Sequence, residues 1–229
     1  MKNHSDNHNV SGQRVFVPEP QGIYAKYIKR VLDFILSLIA IIVLSPLLLL
    51  LMIIGAIAMG GNPFFVQERP GKNEEIFKLI KFRTMTNKKD GDGNLLPDEQ
   101  RLTAYGRFLR KTSLDELPEL FNILSGSVAI CGPRPLLKVY LTRYNDYQRH
   151  RHDVRPGLTG YAQVHGRNAI SWEEKFDMDV WYVNHITFLG NVKIILQTVL
   201  TVLKREGISS ETSATMEEFM GSEMEQEKT

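Results

Sequence analysis

The sequence predicts a mostly helical, mixed α/β fold in which one N-terminal apolar segment attaches a globular domain to a membrane. Three observations support this prediction. Residues 34–66 contain no charged side chain, residues 75–83 alternate partly in the manner of a half-buried strand, and several later stretches repeat apolar residues at helical spacing. The chain has 229 residues, which is enough for one compact domain with tails.

Four segments are expected along the chain. Residues 1–22 form a polar, disordered extension, and residues 23–66 form the membrane helix region. Residues 67–207 form a cytoplasmic domain with amphipathic helices at the membrane surface, and residues 208–229 form an acidic, flexible tail. The start of the chain lacks the basic and apolar regions of a signal peptide.

Composition narrows the functional classes. The net charge of +2 is too small to indicate nucleic-acid binding, so no nucleic acid is expected as a partner. The single cysteine, Cys131, cannot form an internal disulfide, and it ends an apolar run. We therefore interpret Cys131 as a packing residue rather than a nucleophile. No spacing of Cys and His residues suits zinc.

The apolar segment is long enough to cross a bilayer. Its core, residues 34–59, would be about 39 Å long as a straight helix, against ~30 Å for the bilayer core. Pro46 at its midpoint predicts a bend, and the Ser45 hydroxyl can bond the carbonyl that proline leaves free. Lys and Arg flank both ends, which the positive-inside rule places in the cytoplasm. These residues leave two alternatives open, a bent helix that returns to the same face and an ordinary kinked transmembrane helix.

The rest of the chain predicts short elements. Ser171 with Glu174 forms a capping box that begins a helix, and Tyr161 begins a candidate strand over residues 161–164. Further helices are predicted over residues 102–110, 112–124, 136–152 and 191–205. The last of these suits either the plane of the membrane surface or packing against the core.

Residues 112–124 carry the candidate chemistry. Their apolar spacing predicts one amphipathic helix, and Ser113 with Glu116 predicts a capping box at its start. Asp115, Glu116 and Glu119 take the polar side. Carboxylates near a helix start also complement the helix dipole without any catalytic role. The local pattern alone therefore leaves a structural and a catalytic interpretation open.

Cations surround these carboxylates along the sequence. Guanidinium groups bind phosphate oxygens through paired hydrogen bonds, and adjacent carboxylates suit a hard divalent ion that bridges a diphosphate. A carboxylate can also attack phosphorus directly. The combination points to phosphoryl transfer at a membrane surface. The cations concerned are Arg107, Arg110, Lys111, Arg134, Arg155 and Arg167.

Several motifs in fixed order resemble those of the bacterial sugar transferase family, in its small monotopic phosphoglycosyl transferase form. The resemblance runs from about residue 27 to residue 207, and the motifs are specific only in combination. They are Lys29-Arg30-Val31-Leu32-Asp33, Ser45-Pro46, Gln67-Glu68-Arg69-Pro70-Gly71, Lys81-Phe82-Arg83-Thr84-Met85, Ser113-Leu114-Asp115-Glu116-Leu117-Pro118, Gly132-Pro133-Arg134-Pro135, Arg155-Pro156-Gly157-Leu158-Thr159-Gly160 and Gly166-Arg167-Asn168-Ala169-Ile170-Ser171-Trp172.

The resemblance implies a monotopic protein on the cytoplasmic face of the cell's inner membrane, with a re-entrant helix bent at Ser45 and Pro46. It implies transfer of a sugar-1-phosphate from a UDP-sugar to polyprenyl (undecaprenyl) phosphate in two steps. Asp115 matches the nucleophile that displaces UMP, and the polyprenyl phosphate then attacks the covalent phosphosugar intermediate. Such a reaction is the first membrane step of glycoconjugate assembly. The chain is expected to be the short form of the family, with no further membrane bundle.

The resemblance also assigns binding roles. Glu116 matches a residue that helps to hold Mg²⁺, the expected cofactor. Downstream glycosyltransferases and a second copy of the chain are candidate partners. Tyr161 and His165 stand where Trp and Asn are common in the family, which leaves the donor sugar open. The complete set of candidate phosphate-binding residues is Lys81, Arg83, Arg110, Arg134, Arg155 and Arg167.

Two other functional classes remain as alternatives. A lipid-phosphate hydrolase would favour a His or Cys nucleophile among the arginines, and none is placed so in the sequence. A non-catalytic membrane anchor would not need Asp115 and Glu116 among so many cations. Release of UMP that depends on polyprenyl phosphate would separate the transferase from both.

Overall fold

The computed structural model describes residues 22–166, 170–204 and 218–221, and it confirms a mostly helical, mixed α/β fold. The helices of this part are α1 (Lys29–Met59), α2 (Asp98–Arg101), α3 (Ala104–Thr112), α4 (Glu119–Ser125), α5 (Asp146–Arg149), α6 (Tyr161–His165), α7 (Trp172–Asn184) and α8 (Phe188–Lys204). The strands are β1 (Phe64–Pro70), β2 (Ile76–Phe82), β3 (Ala129–Cys131) and β4 (Gly157–Thr159).

Helix α1 is one continuous helix that contains Pro46. It follows a π-helical turn, Tyr24–Ile28, and ends at Gly60 in the left-handed conformation. Pro46 has no N–H to donate to the carbonyl of Ile42, four residues earlier. The Ser45 hydroxyl donates to that carbonyl at 2.8 Å, as the sequence predicted. The helix therefore satisfies the freed carbonyl within its own turn.

One side of α1 packs on the domain and the other carries an exposed apolar surface. Leu51 is buried against Phe82 and Leu109, whereas Ile42, Val43 and many other apolar side chains of the helix are exposed. The helix from Tyr24 to Met59 is long and apolar enough to cross a membrane. Exposed apolar surface of this size marks a membrane or protein contact, so the structure is consistent with membrane association through α1.

Two small sheets frame the domain. Strands β1 and β2 form an antiparallel hairpin with Phe64 opposite Phe82, which confirms the strand predicted over residues 75–83. Strands β3 and β4 pair in parallel, with Ala129 opposite Gly157. The strand predicted over residues 161–164 was wrong, because these residues form α6. Their two large apolar residues, Tyr161 and Val164, are three positions apart, a spacing that puts both on one face of a helix and on opposite faces of a strand.

The single helix predicted over residues 112–124 is broken in the structure. Helix α3 ends at Thr112, Ser113 adopts φ 56° and ψ 18°, and a 3₁₀ turn, Leu114–Glu116, follows before α4. The predicted capping box was also wrong, because the Ser113 side chain makes no capping hydrogen bond. Pro118 cannot donate to a preceding turn, so α4 begins only after it. Asp115 and Glu116 consequently lie on a tight turn between two helices.

The helix predicted over residues 136–152 is also interrupted. A 3₁₀ turn, Lys138–Thr142, precedes α5, and Asn145 caps α5 with a capping box of its own. The helix that Ser171 begins is confirmed as α7, and its predicted capping box with Glu174 is present. The predicted last helix is confirmed as α8, which starts at Phe188 and has an exposed apolar side.

Candidate active site

The candidate site lies where β2, the 3₁₀ turn and the loop after β3 meet. Lys81 comes from β2, Glu116 from the turn, and Arg134 from the loop. Lys81 Nζ and Arg134 Nη2 each donate to Glu116 Oε1 at 2.6 Å. Lys81 Nζ also lies 3.0 Å from Glu119 Oε1, in the first turn of α4. The structure therefore brings together residues that are more than 50 positions apart in the chain.

Glu116 is held ionised by its two cations. Burial alone would raise its pKa, but the charges of Arg134 and Lys81 and their hydrogen bonds outweigh burial and lower that pKa to about 2. Glu116 also raises the pKa of Arg134, so both members of the pair keep their charges. Both hydrogen bonds go to Oε1, and no residue that the structure describes donates to Oε2. A charged carboxylate oxygen is thus left for another ligand.

Asp115 has the opposite electrostatic environment. Burial, followed by the negative charge of Glu116, raises its pKa, while Lys81 and Arg134 act in the opposite direction without prevailing. A raised pKa makes a carboxylate a stronger base and destabilises its charged form. Asp115 is only half-buried, so its carboxylate can be reached by a substrate. The neighbouring carboxylates are consequently suited to different roles.

The loop that carries Arg134 is fixed from two sides. A Cβ on Gly132 would lie 2.5 Å from the carbonyl oxygen of Arg155, so glycine is required where the loop leaves β3. Arg151 Nη2 donates to the carbonyl oxygen of Arg134 at 2.7 Å. Arg151 itself is buried and paired with Asp179 at 2.7 Å. The backbone of Arg134 is therefore held by the core while its side chain reaches the site.

The other predicted cations lie in different places. Arg110 Nε donates to Thr84 Oγ1 at 3.1 Å, and Arg83 is half-buried just after β2. Arg155 Nε donates to the carbonyl oxygen of Gly126 at 2.8 Å and lines a separate cavity beside the start of α1. Arg167 lies outside the described residues. Phosphate binding by these four arginines stays a prediction.

Three charged residues near this site were missed as site residues by sequence reasoning. Glu119 was interpreted only as a polar residue of a helix, yet it is buried beside Lys81. Arg69 is close enough to Arg134 for the two charges to interact, and burial lowers its pKa. Lys175 of α7 also interacts electrostatically with Arg134. Arg69 belongs to the motif Gln67-Glu68-Arg69-Pro70-Gly71, which could have indicated it as a site residue. No sequence pattern indicates Lys175 in this way.

The carboxylates fit a hard divalent cation. Magnesium in proteins commonly takes one or two carboxylates and completes its shell with water and substrate phosphates. Asp115 and Glu116 are adjacent on the turn, and Glu116 keeps a charged oxygen free of described donors. Within the described ranges no group of three His, Cys, Asp or Glu side chains could hold a metal by itself. Water or substrate oxygens would therefore have to supply the remaining ligands.

Comparison with known proteins gives the family. The chain is 48% identical over 195 residues to the uncharacterized sugar transferase EpsL of Bacillus subtilis, covering 85% of this chain and 96% of EpsL. It is 34% identical over 200 residues to an undecaprenyl-phosphate galactose phosphotransferase of Salmonella typhimurium, covering 80% of this chain and 42% of that protein.

A third relative is named for its donor as well as its acceptor. It is the UDP-N-acetylgalactosamine-undecaprenyl-phosphate N-acetylgalactosaminephosphotransferase of Aeromonas hydrophila, 34% identical over 192 residues, which cover 80% of this chain and 45% of that protein. The chain thus spans less than half the length of the Salmonella and Aeromonas relatives. The sequence of residues 24–205 matches the bacterial sugar transferase family. On this match and these identities, the chain belongs to the bacterial sugar transferase family.

Proposed function

We propose that the protein transfers a sugar-1-phosphate from a UDP-sugar to polyprenyl phosphate, with UMP as the other product. The observation that carries this proposal is the arrangement around Glu116, whose Oε1 is held by Lys81 and Arg134 while Asp115 stands beside it with a raised pKa. The relatives named for undecaprenyl phosphate and for UDP-N-acetylgalactosamine support the same reaction class.

Asp115 is the nucleophile in the proposed mechanism. Its carboxylate oxygen attacks the β-phosphorus of the UDP-sugar, and the bond from that phosphorus to the UMP oxygen breaks. A phosphate oxygen of the polyprenyl phosphate then attacks the phosphorus of the acyl phosphate, and Asp115 leaves as a carboxylate. Both steps conserve charge and atoms without a further reactant.

The surrounding residues bind and orient the phosphates. Arg134 and Lys81 have donors beyond those given to Glu116, and these can bind phosphoryl oxygens. Asp115 and Glu116 would hold Mg²⁺, which when bound neutralises charge on the diphosphate. Lys81 and Arg134 keep Glu116 ionised and so keep a charged oxygen available to the cation.

The contacts of α1 support a re-entrant rather than a transmembrane helix. Near its start, Arg30 Nη1 donates to the carbonyl oxygen of Ile123 at 2.7 Å. In its second half, the Tyr105 hydroxyl donates to the carbonyl oxygen of Leu51 at 2.7 Å. These points are about 32 Å apart along a helix. A helix that crossed the bilayer would carry one of them away from a domain that stays on one face.

The transfer reaction is tested by UMP release from purified protein with a panel of UDP-sugars, with and without polyprenyl phosphate and Mg²⁺. We expect continued turnover to require both, with at most one UMP released per protein molecule when polyprenyl phosphate is left out, and the panel identifies the donor. Asp115→Asn keeps the shape and removes the anionic oxygen, so we expect a loss of at least several hundred-fold, roughly as for other covalent nucleophiles. Double-reciprocal plots of rate against UDP-sugar concentration, taken at several polyprenyl phosphate concentrations, should give parallel lines, because a covalent intermediate separates the two steps.

Asp92→Asn is the matched control, because Asp92 is an exposed carboxylate in a turn away from the site. We expect it to keep wild-type turnover. Near-normal turnover of Asp115→Asn would show that Asp115 is not the nucleophile. Intersecting lines would favour direct transfer between two bound substrates.

Membrane topology is tested by cysteine labelling in intact cells. After Cys131→Ser, single cysteines are placed at Ser5 and at Ser209, and both should resist a membrane-impermeant thiol reagent until the cells are permeabilised. Replacing Ser45 and Pro46 by alanine should straighten α1 and expose the Ser5 site at least in part. Labelling of the Ser5 site in intact cells with an unchanged α1 would establish a transmembrane helix instead.

A further inference from the structure

Residues 218–221 of the acidic tail pack back onto the domain. Phe219 is fully buried in a pocket of four aromatic side chains, and Met220 beside it is exposed. Aromatic pairs at such separations contribute beyond the area they bury. The ring centroid of Phe219 lies 4.9 Å from that of Phe176, 5.6 Å from that of Tyr140, 5.7 Å from that of Trp172 and 5.9 Å from that of Tyr144.

Polar contacts specify how this segment docks. Arg143 Nη1 donates to Glu218 Oε1 at 2.8 Å and also to the carbonyl oxygen of Phe219. The backbone N–H of Phe219 donates to the Tyr140 hydroxyl at 3.3 Å. Both backbone groups of Phe219 therefore have partners on the 3₁₀ turn and the residue that follows it, which distinguishes this docking from non-specific apolar collapse.

The rings that receive Phe219 also pack against a buried arginine. The guanidinium carbon of Arg151 lies 5.8 Å from the ring centre of Tyr144 and 5.7 Å from that of Phe176. Arg151 Nη1 also donates to the Tyr144 hydroxyl at 3.3 Å. Removing Phe219 would take away one side of the packing around these two rings, so Arg151 would lose part of what fixes its position.

Arg151 connects this pocket to the active site. Its Nη2 donates to the carbonyl oxygen of Arg134, and Arg134 Nη2 donates to Glu116 Oε1. A second connection runs along the chain, because Tyr140 lies only six residues after Arg134 on the same loop and turn. Two separate routes therefore lead from Phe219 to the residue that holds Glu116.

We propose that Phe219 is a positioning residue for the transfer reaction: its docking fixes Arg151 and the turn at Tyr140, and through them the loop that presents Arg134 to Glu116. This inference rests on the proposed function. The family match covers residues 24–205, so Phe219 lies beyond the matched residues. Through the docked segment, the tail supports the activity of the domain.

The test compares Phe219→Ala with Met220→Ala, a change of an exposed neighbour in the same segment. We expect Phe219→Ala to lower the kcat of UMP release about 10-fold, within the ~10²-fold that a 1 Å misplacement can cost. Met220→Ala should keep wild-type kcat, and Phe219→Leu should recover most of it. Thermal unfolding of each variant is measured so that assays run well below its midpoint.

A synthetic peptide of residues 214–224 gives a second readout. In a Trp181→Phe background, Trp172 is the remaining tryptophan and reports directly on occupancy of the pocket through its fluorescence. Peptide that restores the fluorescence of Phe219→Ala should also restore its turnover, and the same peptide with alanine for Phe219 should do neither.

Three outcomes would overturn the inference. They are equal turnover of Phe219→Ala and Met220→Ala, restored fluorescence without restored turnover, and a loss fully explained by the unfolded fraction at the assay temperature. Absence of UMP release by the unchanged protein would instead reject the proposed function, so the two failures are distinguishable.

Discussion

Two arginine–carboxylate pairs of similar length differ in what surrounds them. Arg134 and Glu116 approach to 2.6 Å with side chains 43% and 20% exposed, whereas Arg151 and Asp179 approach to 2.7 Å with side chains 1% and 4% exposed. Glu116 has a second cation, Lys81, and its pKa is lowered. Burial raises the pKa of Asp179 despite Arg151. The first pair is partly open and shares Glu116 with a second cation, and the second pair is enclosed.

The difference shows how a fixed pair supports a functional one. Arg151 donates its remaining hydrogen bonds inside the protein, to the Tyr144 hydroxyl and to the carbonyl oxygen of Arg134. Arg134 has donors left over at a partly exposed site. A buried pair that loses one partner leaves an uncompensated charge, whereas a half-exposed pair is solvated by water. Loss of Arg151 should therefore affect folding, and loss of Arg134 should affect catalysis.

The largest expected effect follows from Arg151→Met. Asp179 would be left buried without its cation, and breaking such a pair costs about 3–5 kcal/mol of unfolding free energy. Denaturant unfolding in detergent measures the loss. Lys138→Met is the control, because Lys138 pairs with Glu68 at a site where both side chains are 57% exposed, and we expect little change. Equal stability of the two variants would remove the distinction between the pairs.

Arg134→Met should be folded but nearly inactive. Removing a preorganised donor from a site of developing charge costs about 10²–10³-fold in turnover. Removal of Arg134 also takes away the first of the charges that lower the pKa of Glu116, so that pKa should rise. UMP release and the unfolding midpoint are measured on the same preparation. A fall in stability as large as that of Arg151→Met would contradict the comparison.

The partly open pair of Arg134 and Glu116 was easier to predict from the sequence than the enclosed pair of Arg151 and Asp179. Glu116, Lys81 and Arg134 stand in short motifs with Pro, Arg and acidic residues, and the structure brings all three together. Arg151 lies among Arg149, His150 and His152, and nothing local distinguishes the buried arginine from the half-buried Arg149. Its role depends on Asp179, 28 residues later, and on a carbonyl group of the backbone.

The prediction of one helix over residues 112–124 was wrong because tertiary packing overrides apolar spacing. The helical spacing of residues 112–124 continues through Ser113, yet Leu114 and Leu117 pack into the core only when the chain turns at Ser113. A serine at positive φ gives no local signal, whereas glycine would have.

The tail residues 208–217 and 222–229 lie outside the described residues. The buried Phe219 was the aromatic exception in an acidic segment, which was a usable signal.

The smallest expected effect is the loss of folding stability at acid pH that His152 causes in the buried region around Arg151 and Asp179. Its Nδ1 lies 3.1 Å from the carbonyl oxygen of Gly71, to which it donates, and no described residue bonds Nε2. Burial, followed by the charge of Arg151, lowers the pKa of His152 to about 3. The folded protein therefore keeps this ring neutral at pH values where the unfolded chain, with a pKa near 6.5, binds a proton.

The sign of the pH dependence follows from that difference. Between pH 6.5 and pH 3 the unfolded state binds the extra proton, so stability falls as the pH falls, by up to about 1.4 kcal/mol per pH unit. His152→Asn keeps a donor for Gly71 and cannot titrate, so its stability should fall less steeply from pH 6.5 to pH 5. Because other groups also titrate in this range, the measured quantity is the difference in slope. His165→Asn, at an exposed position, should keep the wild-type slope. Identical slopes for all three proteins would mean that His152 can be protonated within the fold, and that the region around Arg151 is more open than its burial indicates.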